Sequence, residues 1–570
     1  MVKAKQQLNQ SSSKRRNILV LIVLLVIVIV FNYVSSLLFK RFDLTTEKRY
    51  TLASTTKDLL KNINDEVYLK VYLQGNFNPS FTRLRNEAKE LLDEFRAYSN
   101  NQLQYEFIVP GEGLNETEKA NLEKQLYEKG LTPEQVVENK QEKKLETLIW
   151  PGAIVTYKGK ETVWQIFKRQ VGIPPEECIN NSVQELEYSL SNAIRKLQRT
   201  KEKEVTFIEG HGELDTLQNY DFARALSEYY EVNRTPIMGK LGTLKESDCI
   251  IIAQPDSAFT DKDKFIIDQY IMNGGKVLWL IDPVDVNRDT LYLKGYSIGL
   301  PKNLRLEDML FKYGVRLNNV LVQDLQCATV PINVGFKNGQ PNFKQFPWVY
   351  NPLILPEVAH PIVKNLDLIR MDYSSTIDTI RAKDIKKTIL LKTSRYTKTQ
   401  PTPARLSLAS VQYKPKPKLF NNPYQPVAVL LEGSFNSFVE YRLPSALLTD
   451  STFKYIDKGK VTKQIVVANG DIARNDVSRS TGQLFPLGYD KYSRQTFANK
   501  TFLVNCVNYL LDDDGMLQLR TREVKLRLLD KKKIDEQRSY WQRLNVLAPL
   551  ILIALAAFIQ FYWRKRKFAR

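Results

Sequence analysis

Two charge-free hydrophobic segments, Ile18 to Phe39 and Leu544 to Trp563, bracket a long stretch in which apolar residues recur with the periods of strands and helices. At 22 and 20 residues, each is long enough to cross a hydrocarbon core of roughly 30 Å as a helix rising about 1.5 Å per residue. The fourteen apolar residues from Ile18 to Phe31 outrun most of the range of a cleaved signal core, and no A-x-A site follows, which predicts a retained anchor. The second segment carries Asn545, Pro549 and Gln560. A lone helix facing lipid tolerates such residues poorly, so these three are expected to mark a contact with a partner.

Residues 40–200 read as an α/β unit. After a polar connector, Val67, Leu69, Val71 and Leu73 alternate against Tyr68, Lys70 and Tyr72 as a strand. Leu84, Ala88, Leu91, Leu92 and Phe95 then form one helical stripe between Phe81 and Tyr98. A second strand, Leu103 to Val109, and a helix from Glu116 to its stop at Gly130 follow. Ala153 to Tyr157 and Thr162 to Phe167 flank Lys158-Gly159-Lys160 as a hairpin, and a long helix, Glu176 to Gln198, closes the unit. The order β-α-β-α-β-β-α resembles a thioredoxin-like domain, with Pro151 where that fold keeps a cis-proline. No cysteine pair accompanies it, so the resemblance implies a scaffold without redox chemistry.

A second α/β unit is expected over 201–283 and 427–515. Val205 to Ile208, Asp248 to Ala253 and Val277 to Ile281 are continuous apolar strands separated by helices, near Tyr220 to Tyr230 and Lys264 to Met272, the latter capped by Thr260 or Asp261. That alternation predicts a flavodoxin- or glutamine-amidotransferase-like parallel sheet covered on both faces. Between 284 and 426 the alternation breaks into short mixed elements, read as a long insertion whose Pro401 to Pro426 stretch is an exposed extended loop. The sheet resumes with Val427 to Glu432 and Gln464 to Ala468, then a helix from Asn499 to Leu511 that exits through Asp512-Asp513-Asp514-Gly515, a solvated turn lacking calcium-loop spacing. Residues 516–543 are expected to be a juxtamembrane helix.

Charge fixes the topology. Lys3, Lys5, Lys14, Arg15 and Arg16 precede the first apolar segment, and Arg564, Lys565, Arg566, Lys567 and Arg570 follow the second. Short basic flanks stay in the cytoplasm, so tails 1–17 and 564–570 are expected inside, spans at 18–39 and 544–563, and the intervening domains outside, in the periplasm of an inner-membrane protein. The net charge of +20 therefore reflects topogenic flanks in large part rather than nucleic-acid binding.

Chemistry is sparse. With two histidines, His211 and His360, and four scattered cysteines, a multi-histidine zinc site, a disulfide framework and a redox motif all lack residues. No G-x-S-x-G elbow and no Walker A motif occurs, so ATP that drives the protein is hydrolysed on another subunit. The carboxyl ends of parallel strands collect ligands, which places Glu209, His211, Gly212, Glu213 and Asp282 on one rim as candidate binding residues. The competing reading makes the glycines a tight turn and His211 a structural hydrogen-bonding group. No third ligand for a metal, no cofactor and no catalytic residue is identifiable.

The segments RFDLTTEKRYTL, FIEGHGELD, DCIIIAQP, NGGKVLWLIDP, LFKYGVRLNNVLVQD and WQRLNVLAPLILIALAAF together resemble the GldG family of gliding-motility-associated ABC transporter auxiliary proteins over nearly the whole chain. The middle of that family is similar to a domain of an intraflagellar transport subunit. The resemblance implies a non-catalytic membrane subunit that assembles with an ABC permease and a cytoplasmic ATPase as a hetero-oligomer. A solute-binding receptor is the second reading, although a second span hinders release and docking of a receptor domain. An amidotransferase-like hydrolase, which needs a nucleophile beside His211, is the third.

Overall fold

The computed structural model describes residues 19–32, 51–75, 77–140, 143–170, 173–198, 203–337, 339–439, 455–478, 481–512, 515–521 and 531–568. The chain divides into two compact units, one holding both ends (Met1–Thr51 with Val524–Arg570) and one spanning Leu52–Glu523. In the first, helix α1 (Leu19–Asn32) is apolar but shorter than a full span, and the rest of the expected segment lies outside the described residues. The carboxyl-terminal helix, Lys531–Phe568, contains a stretch, Glu536–Arg566, long and apolar enough to cross a membrane. The amino-terminal basic tail lies outside the described residues, whereas the carboxyl-terminal one continues the helix as far as Phe568.

Leu52–Glu523 begins with helix α2 (Ser54–Lys61) and a four-stranded sheet. Strand β1 (Val67–Val71) pairs parallel with β2 (Leu103–Phe107). Between them runs helix α3 (Pro79–Tyr98), started by Asn78, whose side chain accepts from Phe81 N–H. Helix α4 (Glu116–Glu128) opens on a capping box formed by Asn115 and Glu118. The hairpin of β3 (Glu134–Lys140) and β4 (Lys143–Ile149) was not expected from the sequence. Strand β5 (Gly152–Tyr157) runs antiparallel to both β1 and β6 (Lys160–Gln165), so the sheet order is β2-β1-β5-β6. Helix α5 (Pro175–Gln198) lays Leu186, Leu190 and Ile194 onto the core made by Val67, Leu69, Val71, Leu84, Leu92 and Phe95. The bond before Pro151 is trans: among the described residues the cis bond is Thr402–Pro403.

The second sheet has seven strands. Strands β7 (Glu204–Glu209), β8 (Glu231–Pro236), β9 (Cys249–Ala253) and β10 (Lys276–Leu280) are parallel, with β7 at the centre of β8-β7-β9. Beyond β10 come Ile385–Lys392 (β11), Pro426–Asn436 (β12) and Lys458–Val467 (β13), in the order β11-β12-β13-β10. Strand β13 continues the parallel run, but β12 is antiparallel to both its neighbours. The sheet is therefore mixed, not parallel: a continuous apolar run such as Val427 to Leu431 reports burial on both faces and carries no direction. Its edge strand β11 comes from inside the stretch assigned to an insertion.

Both faces are covered. On one, Phe207, Ile251 and Leu278 meet Phe222 and Leu226 of helix α6 (Tyr220–Ser227). On the other, Ile250, Ile252 and Trp279 meet Ile267 and Ile271 of helix α7 (Asp261–Met272). Each fully buried Ile, Leu or Phe contributes about 1.5–3 kcal/mol, so these two layers hold the strand ends in place. Helices α8 (Arg288–Lys294) and α9 (Glu307–Tyr313) follow β10. Some of the remaining strands build a separate small core around Leu291, Trp348, Ala404 and Leu406, while others, such as Val315–Leu317 and Ile377–Thr379, add to the main ones. Ala404 and Leu406 lie in a strand, Ala404–Ser407, so 401–426 is not wholly an exposed loop.

Helix α10 (Asn499–Leu510) packs Phe502, Leu503 and Cys506 against the sheet. Asp512 is not solvated as the sequence led us to expect. Its carboxylate is buried near Arg195 and accepts from Met516 and Leu517 N–H at 3.1 and 3.0 Å, starting the 3₁₀ turn Met516–Thr521. Residues 516–521 are thus a 3₁₀ turn and not the start of the expected juxtamembrane helix, and the described part of the carboxyl-terminal helix starts at Lys531.

Candidate functional site

The rim at the carboxyl ends of β7, β9 and β10 holds all the expected binding residues, arranged as two clusters. Strand β7 ends at Glu209, and the chain reverses through Gly210 and Gly212, both at positive φ (+113° and +75°). A Cβ at Gly212 would sit 2.9 Å from Asp256 Cβ, so the turn needs glycine for space as well as for φ. The turn puts the His211 carbonyl 2.8 Å from both Asp256 N–H and Ser257 N–H, in the loop after β9.

His211 is buried between two carboxylates. Its backbone N–H donates to Glu213 Oε2 at 2.7 Å, its Nδ1 lies 3.2 Å from Glu213 Oε1, and its Nε2 lies 3.2 Å from Asp263 Oδ2. The ring stacks on Phe259 with centroids 3.8 Å apart. Burial works to lower the imidazole pKa, but the bonds to Glu213 and Asp263 and their charges outweigh it, so the pKa is raised. Asp263 in turn is pulled down: burial opposes its charge, yet Thr260, Gly239 N–H and His211 all stabilise it. An imidazolium donating from both nitrogens fits this geometry. Both ring nitrogens face carboxylates, which leaves neither aimed at a hydroxyl or thiol as a nucleophile's base would be.

Glu209 and Asp282 stand apart from this clamp. Glu209 accepts from Arg234 Nη1 at 3.0 Å, and Arg234 also ties down Asn219. Asp282, beyond β10, is buried and accepts from Gln254 Nε2 and Gly470 N–H, both at 2.6 Å. Burial and the neighbouring Asp471 push its carboxyl up to about 6. Asp471 is held low: burial opposes its charge, but Arg288 (2.5 Å) and Arg474 (3.0 Å) outweigh that. Gln254, held at φ +55°, joins the cluster through Arg474. Lys302 links the two clusters, with Nζ 2.9 Å from Asp256 and its N–H donating to the Pro283 carbonyl.

Among the described residues no group of three or more His, Cys, Asp or Glu is placed to hold a metal ion. A cavity of about 550 Å³ opens at the α7 amino terminus, lined by Lys264, Arg305, Asp308 and Phe438 among others and by none of the expected binding residues. The sequence missed Asp263, Phe259, Gln254 and Asp471. Asp263 could have been found, since Thr260-x-x-Asp263 has cap spacing and Thr260 Oγ1 does accept from Asp263 N–H. Phe259 and Asp471 carry no local signal. Asn545, Pro549 and Gln560 lie exposed on the carboxyl-terminal helix. At 100° per residue they fall within about 60° of arc, on one face.

Residues 202–506 match a family described as an ABC-type uncharacterized transport system, and residues 46–156 match a domain of unknown function (DUF7088). The first match covers more than half of the chain, and the protein belongs to that family, a group of auxiliary components of ABC transport systems. An uncharacterized protein of Borreliella burgdorferi is 24% identical over 356 residues, covering 61% of this chain and 62% of its own length. The chain thus spans about three-fifths of that curated relative. Among solved structures, the mmIFT52 N-terminal domain aligns with 55% of this chain and 99% of its own at 12% identity and a TM-score of 0.31.

Proposed function

We propose that this protein is a non-catalytic, two-span inner-membrane subunit of an ABC transport complex of the gliding-motility type. Its periplasmic unit, a thioredoxin-like scaffold followed by an α/β domain built on the mixed seven-stranded sheet, works by protein–protein coupling to a permease and a cytoplasmic ATPase. One observation carries the coupling role: the places where the chain enters and leaves Leu52–Glu523 converge on helix α5. At the entry, Ala53 N–H and Thr56 Oγ1 donate to Glu187 Oε1 at 2.7 and 2.8 Å. At the exit, Arg520 donates to Glu185 at 2.9 Å, and Met516, Leu517 and Leu519 pack on Tyr188 beside Ala53 and Leu59. Adjacent entry and exit points suit a unit hung from two neighbouring spans. Family membership and the His211 clamp, whose two ring nitrogens both face carboxylates, support a role without turnover.

The full-length protein purified in mild detergent is expected to bring a permease and an ATPase with it. A reporter active only outside the cytoplasm should work near Gly299 and fail at Met1 and Arg570. An active fusion at Arg570 refutes the two-span topology. Replacing Leu544 to Trp563 with a polyleucine span of equal length should keep insertion but weaken co-purification, because Asn545 and Gln560 lose interhelical hydrogen bonds worth about 0.6 kcal/mol each. A chimera that assembles and supports motility normally makes the segment a plain anchor.

A further inference from the structure

The hairpin of Cys327–Lys337 and Gln340–Ile354 takes a third strand, Ile369–Arg370, only at its root, and towards its tip leaves the body of its lobe as a two-stranded ribbon. Its root is anchored by Val330, Trp348 and Tyr350, but from Asn333 to Gln345 the described side chains are exposed. A ribbon with no third strand and no covering layer is marginal in water. The register Asn333↔Phe343 and Phe336↔Pro341, with a bulge between, puts Phe336 and Phe343 on one face. They are 75% and 60% exposed, with Val334 exposed beside them at the bulge. At the ribbon's root Leu408 and Val411 of the turn Leu408–Gln412 pack with Trp348 and Tyr350, and that turn leads directly into Tyr413, Lys414, Lys416, Lys418 and Leu419, all exposed.

Both of these segments carry charge of one sign. The sequence holds no carboxylate between Asp324 and Glu357, or between Asp384 and Glu432. Lys344, Lys414, Lys416 and Lys418 make no ion pair among the described residues. Aromatic side chains beside unpaired lysines match the boundary of a bilayer, where the rings enter the acyl edge and the ammonium groups meet phosphate. Anionic lipid supplies the missing countercharge. A chain anchored by its carboxyl-terminal helix would hold that surface at high effective concentration.

We propose that the ribbon tip and the 413–419 turn form a docking surface for an anionic lipid bilayer. The proposal rests on the membrane-anchored reading only for the nearness of the bilayer. The test uses the full-length protein with Cys327→Ser and Asn342→Cys, carrying a nitroxide at position 342. It is reconstituted into phosphatidylcholine vesicles with and without about one-third phosphatidylglycerol. In the anionic vesicles the label should collide with oxygen and be shielded from a water-soluble nickel chelate, and in neutral vesicles the preference should reverse. Phe336→Ser with Phe343→Ser should reduce the shielded population by about tenfold or more, and Lys414→Glu with Lys416→Glu should do so in anionic vesicles alone. A label that stays water-exposed in anionic vesicles overturns the proposal, as does equal shielding in neutral ones. Shielding that appears only on adding co-purified subunits overturns it too and assigns the surface to a protein. If alkaline carbonate strips the chain from the vesicles, the anchoring reading fails, while the label contrast still decides this proposal.

Discussion

Replacing His211 with alanine tests whether the rim is a clamp. The substitution removes the ring that faces Glu213 and Asp263 at 3.2 Å each and the stack on Phe259, while leaving both carboxylates buried. Removing one partner of a buried ion pair outright costs about 3–5 kcal/mol. Here each carboxylate keeps other donors: His211 N–H for Glu213, and Thr260 Oγ1 and Gly239 N–H for Asp263, at 2.6 and 2.7 Å. The loss should therefore be nearer 2 kcal/mol, plus about 1 kcal/mol for the lost stack. The assay is hydrogen exchange at Asp256 and Ser257, whose N–H groups both donate to the His211 carbonyl. About 3 kcal/mol off the local opening free energy speeds their exchange by roughly two orders of magnitude. The pH dependence has a definite sign. A raised histidine pKa gives stability that is fully present below about 6.5 and is lost as pH rises through the folded value. The lowered Asp263 pKa gives stability present above about 3.8 and lost as pH falls through its folded value. Protection corrected for intrinsic rates should be greatest between those limits and decline on the alkaline side. Equal exchange in His211→Ala and wild type, or protection that grows with alkalinity, would refute the clamp.

Three further outcomes follow from the second cluster and from α5. Gly470→Val places a Cβ 2.7 Å from Gln254 Cβ and 2.9 Å from its Cα, at an ordinary φ of −85°; the backbone must move, and thermal unfolding should show a loss of about 3 kcal/mol. Asp282 titrates near 6 when folded against 3.8 otherwise, so its contribution falls as pH rises from 4 to 6, by about 3 kcal/mol; Asp282→Asn should flatten that part of the stability profile, and an unchanged profile argues against the assignment. Arg520→Met strands the buried Glu185, whose carboxyl Arg520 and Lys168 hold low against burial, and should cost about 3 kcal/mol. Adding Glu185→Gln should recover part of it, and strictly additive losses in the double-mutant cycle would deny the pairing.

What the sequence disclosed followed from the kind of signal each element carries. Strands β7, β9 and β10 stood out because residues buried on both faces leave unbroken apolar runs, and α7 because Thr260 marks its start. The direction of β12 was not legible, since its run has the same composition as a parallel strand. The ribbon of Cys327–Lys337 and Gln340–Ile354 escaped because its exposed half has no face against which alternation could register. At the rim, the turn glycines and His211 were visible, but the second carboxylate of the clamp lies 52 residues away on another element. Asp282 was grouped with His211 because strand ends share a rim. Its actual partners, Gly470 and Asp471, come from a segment almost 190 residues further on, which no local pattern can announce.

Helix α5 gives the two ends of Leu52–Glu523 a common foundation, and its geometry bears on which movements it could pass on. Glu185 and Glu187 are two residues apart, so on a helix they project about 200° from each other. The exit segment, through Arg520, and the entry segment, through Ala53 and Thr56, therefore hold α5 on different sides. Between them one apolar cluster contains Tyr188, Met516, Leu517 and Leu519, with Ala53 and Leu59 packed on it. Pulling entry and exit apart would shear that cluster and stretch hydrogen bonds of 2.7–2.9 Å, contacts that lose most of their energy within an ångström or so. Displacing both together strains none of them. It moves α5 as a body, and with it Leu186, Leu190 and Ile194, which press on the β1–β5 sheet. A unit built this way resists separation of the chain segments at its two ends and transmits their joint movement, which is what the proposed coupling role requires and a freely docking solute receptor does not.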